Sequence, residues 1–132
     1  ILIIMGDTYH YNVPGLVIHI IHLIFGAWLA YIGYKKITNQ SISNYNYPIL
    51  IGLGSLVIVY FIHLLYKNWN KTWNYAFGIP NYLIHIVHII NGILLLLVGL
   101  KILNMDNLVN LYFIITGSTA ALYHLHLLVF KH

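Results

Sequence analysis

Only eight side chains in this 132-residue chain carry a formal charge, and they leave four long uncharged windows. The charges are Asp7, Lys35, Lys36, Lys67, Lys71, Lys101, Asp106 and Lys131, and the windows between them are residues 8–34, 37–66, 72–100 and 107–130. Each window exceeds the roughly 20 residues an α-helix needs to cross a hydrocarbon core. Lipid offers backbone groups no partner, so each crossing must satisfy its own hydrogen bonds as a helix. Membrane-spanning strands would be about half as long and would alternate polar with apolar residues; these windows do not. The spacing predicts helical spans near 13–34, 48–66, 80–103 and 108–130. Pro14, Pro48 and Pro80 suit a first helical turn, where a missing N–H costs nothing.

Composition agrees. Hydrophobic residues make up 61% of the chain and charged ones 6%, against about 25% charged in an average soluble domain. Eight charges cannot cover the surface of a soluble domain this size. The length suits one domain, residues 1–132. Without cysteine there is no disulfide framework and no thiolate metal site. The net charge of +4 comes from scattered lysines with no arginine. That excludes a nucleic-acid surface and leaves the lipid bilayer as the expected partner. The loop at 36–47 is polar, and the next, at 67–78, carries Trp69, Trp73 and Tyr75 as interface markers. Lys35, Lys36 and Lys101 lie on one side of the membrane and Lys67, Lys71 and Lys131 on the other, so the charge rule sets no orientation. Met5 is the expected start of translation, and the first span is expected to act as its own membrane signal.

The chain also repeats itself. A shift of 66 residues lays Pro14 on Pro80, His19 on His85, His22 on His88, Gly26 on Gly92, Gly33 on Gly99 and Lys35 on Lys101. A shift of 63 lays Gly54 on Gly117, Ser55 on Ser118, Tyr60 on Tyr123 and His63 on His126. Shared Ile and Leu are cheap in membrane helices; shared Pro, His, Gly and Tyr in register are not. The expected fold is therefore all-α: an integral membrane, up-down-up-down four-helix bundle from a tandem duplication of a two-helix hairpin. The copies are residues 8–67 and 74–131, related as parallel repeats.

Six of nine histidines fall at repeated positions: His19, His22, His63, His85, His88 and His126. All are expected roughly 5–13 Å below one interface, at 1.5 Å per residue. His19, His22, Gly26, Leu29 and Gly33 share one helix face, as do His85, His88, Gly92, Leu95 and Gly99. Small and polar faces are expected to point into a bundle. Tyr60 and Tyr123 are placed on the face of His63 and His126, while His124 points about 160° from His126 and is left out, with His10 and His132 near the termini. The layer has two leading readings. One is interhelical hydrogen bonding that holds helices together, with the glycines as close-packing positions. The other is a haem b site with axial pairs such as His19 with His85 or His63 with His126. Gly26 and Gly92 would make room for the macrocycle, and Tyr60, Tyr123, Lys67 and Lys131 would meet the propionates. A bare divalent metal is disfavoured because no carboxylate accompanies the histidines. A His-lined proton or ion path is the third reading. With two aspartates, both in loops, no catalytic constellation is present, and the chain reads as a non-enzyme.

The His-bearing four-span layout resembles four-helix b-type membrane cytochromes, which implies haem as cofactor. The Ile/Asn/Tyr-rich composition and the run Tyr31-Ile32-Gly33-Tyr34-Lys35-Lys36 resemble small multi-span membrane proteins of AT-rich large DNA viruses. That resemblance implies a role in a virion's internal membrane or its assembly, with membrane or capsid proteins as partners.

Overall fold

The computed structural model describes residues 13–74 and 76–130. Asp7, His10, Tyr75, Lys131 and His132 lie outside the described residues, as does Met5. Four helices carry the fold: α1 (Gly15–Ile37), α2 (Asn46–Lys67), α3 (Asn81–Gly99) and α4 (Asn107–Phe130). All four are long and apolar enough to cross a membrane, and the described residues contain no strand. The protein is all-α and reads as a small multi-pass membrane protein.

The helix ends follow local chemistry. Pro48 lies in the first turn of α2, whereas Pro14 and Pro80 sit one residue outside α1 and α3, extended at the N-cap. At the end of α1, Asn39 takes a left-handed φ of 60°, its N–H donates to Lys36 O, and the Gln40 N–H donates to Lys35 O. That pair of bonds forms a Schellman closure. Lys101, also at φ 60°, closes α3 the same way, with Lys101 N–H to Val98 O and Ile102 N–H to Leu97 O. The closure stops α3 at Gly99, four residues short of the expected end. Asp106 starts α4: its carboxylate accepts from the Val109 N–H at 2.9 Å and its carbonyl from the Asn110 N–H. An acidic cap suits the positive end of a helix.

The helices pack as two pairs. One compact unit contains α1 and α4, the other α2 and α3. In the first, an added Cβ on Gly26 would lie 2.6 Å from the Gly117 carbonyl oxygen and 2.9 Å from the Ala121 nitrogen. One on Gly117 would collide with the Gly26 carbonyl, and one on Gly33 would lie 2.7 Å from the Asn110 carbonyl. Contacts that run 26 to 117 and 33 to 110 require antiparallel helices. Only glycine lets two helix backbones approach so closely, and the approach supplies dispersion and Cα–H···O contact that lipid cannot replace. Ile32, Phe113 and Leu127 are buried within this pair.

The α2–α3 unit repeats the scheme. A Cβ on Gly54 would lie 2.7 Å from the Gly92 carbonyl, and one on Gly99 would lie 3.0 Å from the Tyr47 carbonyl. Leu50, Leu64, Leu95 and Val98 are buried there. The inward positions recur every seven residues on all four helices: 19, 26, 33; 47, 54, 61; 85, 92, 99; 110, 117, 124. This is the seam of a left-handed helix pair. Outside the seams, Leu56, Val59, Leu122 and Phe130 are each well over half exposed. Such surfaces associate in water and are at home in lipid.

The loop before α3 is tied down by one side chain. Asn81 is buried. Its Nδ2 donates to Lys71 O at 3.2 Å, its Oδ1 accepts from the Trp73 N–H at 3.3 Å, and its own N–H donates to Trp73 O at 2.9 Å. Trp69 is exposed, as an interface residue should be.

Candidate functional site: an imidazole cluster between two helices

The heptad seam carries His19 on α1 to the level of His124 on α4. Their Nδ1 atoms are 2.8 Å apart. Two bare lone pairs or two N–H groups cannot share that distance, so one Nδ1 carries a proton and the other accepts it. His22, one turn along α1, stacks on His124 with ring centroids 4.1 Å apart and planes 23° from parallel. The His22 Nδ1 lies 2.7 Å from the Ile18 carbonyl, which can only accept. That bond fixes the proton on Nδ1 and leaves Nε2 as the acceptor of a neutral ring. Tyr123 meets His124 edge-on at 5.2 Å.

The α2–α3 unit contains the same arrangement with one substitution. His88 Nδ1 donates to the Ile84 carbonyl at 2.7 Å, as His22 does to Ile18. Phe61 takes the place of His124 and stacks on His88 at 4.1 Å and 22°. His85, fully buried, faces Phe61 at 5.8 Å and the edge of Trp73 at 5.8 Å. One helix pair therefore holds an imidazole–imidazole hydrogen bond, and in the other a phenyl ring, Phe61, lies against two imidazoles, His85 and His88.

The sequence-derived residues divide accordingly. His19, His22, His85 and His88 lie on the packed faces, as expected of their stripes. His124 was placed outside the layer on sequence grounds, and that placement is corrected: it is the direct partner of His19. His63 and His126 are exposed, and His126 tilts against Phe130 at 4.9 Å. The proposed axial pairs draw on both units: His19 and His126 belong to the first, His63 and His85 to the second. Gly26 and Gly92 had two readings from the sequence, close packing or room for a macrocycle; beside each lies the backbone of the packed partner helix. Tyr60 and Tyr123 are half-buried, each edge-on to an aromatic neighbour, Phe61 and His124 respectively. Lys101 lies 4.6 Å over the Tyr47 ring and Lys35 5.5 Å over Tyr31, cation–π contacts that suit side chains anchored at an interface.

The signal that would have found His124 is the glycine seam. Gly117 plus seven is His124, as Gly54 plus seven is Phe61. Among the described residues no group of three or more His, Asp or Glu is arranged to hold a metal ion. No known protein family, curated protein or solved structure matches this chain.

Proposed function

We propose that this protein is a non-catalytic structural component of a membrane, and that its histidines serve helix pairing. The observation that carries this reading is the coincidence of both features on one seam. Glycine crossings bring the backbones of α1 and α4 into direct contact, and the His19–His124 bond closes the same seam seven residues away. Imidazoles that bond across helices stabilise a membrane pair by about 0.6 kcal/mol each, a typical interhelical value. The contribution is small, but it fixes register: a shift along the seam would leave two polar rings without partners in lipid. The resemblance to small viral membrane proteins supports a place in a virion's internal membrane, with other membrane or capsid proteins as neighbours.

Expression in haem-supplemented cells tests this against the cofactor reading. The structural role predicts a colourless purified protein. A Soret band that disappears in His19→Ala or His63→Ala would make the protein a b-type haem carrier instead.

A further inference from the structure

Two imidazole nitrogens from different helices converge at the His19–His124 contact. Their Nδ1 atoms are 2.8 Å apart, and His19 is 3% exposed. His22 lies face to face with the His124 ring at 4.1 Å, and its own Nδ1 is tied to the Ile18 carbonyl. A ring anchored by that bond braces the plane of His124 and leaves the His124 Nδ1 edge turned to His19. Such outer contacts orient imidazoles that ligate metals. In the α2–α3 unit Phe61 faces His85, so the second unit lacks the pair.

Imidazole suits several transition metals, and charge and ligand number decide among them here. Asp106, the one aspartate among the described residues, starts α4 at the end opposite His124. A divalent ion held by neutral rings would therefore carry its full charge into the span. The cost of desolvating an ion rises with the square of its charge, so a monovalent ion costs about a quarter as much. Zinc also takes about four ligands, and among the described residues no group of three or more His, Asp or Glu could hold a metal. Copper(I) and silver(I), with filled d shells, are satisfied by two nitrogens in line. Metal–imidazole bonds of about 2.0 Å set the nitrogens about 4 Å apart, so the pair must open by about 1 Å. Rotation of the two side chains supplies that opening, because the backbone contact of Gly26 with Gly117 lies about 10 Å along the seam.

We propose that His19 and His124 form a two-coordinate site for a soft monovalent cation, copper(I), between α1 and α4. The ion takes the position of the proton shared by the two Nδ1 atoms. That proton moves to Nε2 of the same ring, so both rings stay neutral and no proton is released. No electron is transferred, because the ion enters already reduced. His22 is a positioning residue. A filled-shell ion has no Soret band, so a colourless protein is compatible with it. The hydrogen-bonded pairing of the helices needs no ion and stands or falls separately.

The test uses the whole protein in detergent, loaded with copper(I) kept reduced by ascorbate under argon, or with silver(I), and then washed with a soft-metal chelator. Native mass spectrometry should count one retained ion per chain. X-ray absorption should show two nitrogen ligands. Nitrogen-15 spectra should show His19 and His124, opposite in Nδ1 state without the ion, both protonated at Nε2 with it. His124→Phe should lose the ion, and Phe61 shows that the equivalent seam position accepts a phenyl ring. The double variant His63→Ala with His126→Ala, which removes two exposed imidazoles, should keep it. The absorption and nitrogen spectra need no variant, so they decide the question even where His124→Phe disturbs folding. No ion retained by the unaltered protein, a count unchanged by His124→Phe, loss of the ion in the double variant, or three or more nitrogen ligands would overturn the site.

Discussion

His19 and His124 face each other through their Nδ1 atoms at 2.8 Å, and their counterparts 66 residues on and 63 residues back are His85 and Phe61. The molecule thus contains its own control. Replacing His124 with Phe should convert the first helix pair into the chemistry of the second without loss of fold. The expected cost is about 0.6 kcal/mol in a denaturant titration in detergent. A loss several times larger would mean that His124 does more than bridge two helices.

The Nδ1–Nδ1 bond tolerates a proton on one Nδ1 and not on both. When both rings are fully protonated, both Nδ1 atoms are donors and the bond is gone. The facing titratable side chains are His22 from α1 and Tyr123 from α4, and neither supplies a compensating negative charge in acid. Stability of the α1–α4 pair should therefore fall as pH falls, and His124→Phe should flatten that dependence. Nitrogen-15 imidazole spectra give the direct readout. At neutral pH His22 and His88 should both carry their proton on Nδ1, while His19 and His124 show opposite Nδ1 states. Identical states at 19 and 124 would contradict the bond.

Gly26→Ala and Gly54→Ala each push a methyl into a facing backbone carbonyl, which cannot swing aside as a side chain can. Each should destabilise the protein by about 1–3 kcal/mol. Gly52 supplies the comparison, because a Cβ there meets nothing within 4 Å. Gly52→Ala should be neutral or stabilising by up to about 1 kcal/mol, as alanine suits a helix better than glycine. Equal effects at positions 52 and 54 would remove the glycine seam from the account.

Much of this was legible in the sequence, and the limit is physical. Eight charges located four spans, and the repeat aligned His19 with His85 and Gly26 with Gly92 on one face. The same repeat also aligned His63 with His126, and both of these are exposed. In-register matching identifies equivalent positions without saying which face is inward. On α4 the inward face is set by Gly117, where a backbone must fit, and its heptad neighbour is His124. Which helix packs on which was not legible either. Complementary glycines face one another on α1 and α4 and on α2 and α3, and such glycines permit close approach in lipid. The polar closures at Asn39 and Lys101 were hidden for a simpler reason: neither is a glycine, the usual residue for a left-handed cap.

Asn81 connects the interface loop to α3 through three hydrogen bonds, and Trp73 beside it touches His85. Asn81→Ala should cost about 1–3 kcal/mol and free Trp73 toward water. A red shift in tryptophan emission relative to Trp69→Phe protein, in which the exposed indole has been removed, checks this. Unchanged emission would show that the loop is held by something else.

Glycine contacts test the helix pairing most directly. Solid-state NMR on protein labelled only at glycine, diluted with unlabelled protein and reconstituted in bilayers, isolates ten residues. The account predicts intramolecular cross-peaks between Gly26 and Gly117 and between Gly54 and Gly92. Cross-peaks that join Gly26 to Gly54 and Gly92 to Gly117 instead would place each sequence hairpin against itself and contradict the pairing on which the His19–His124 bond depends.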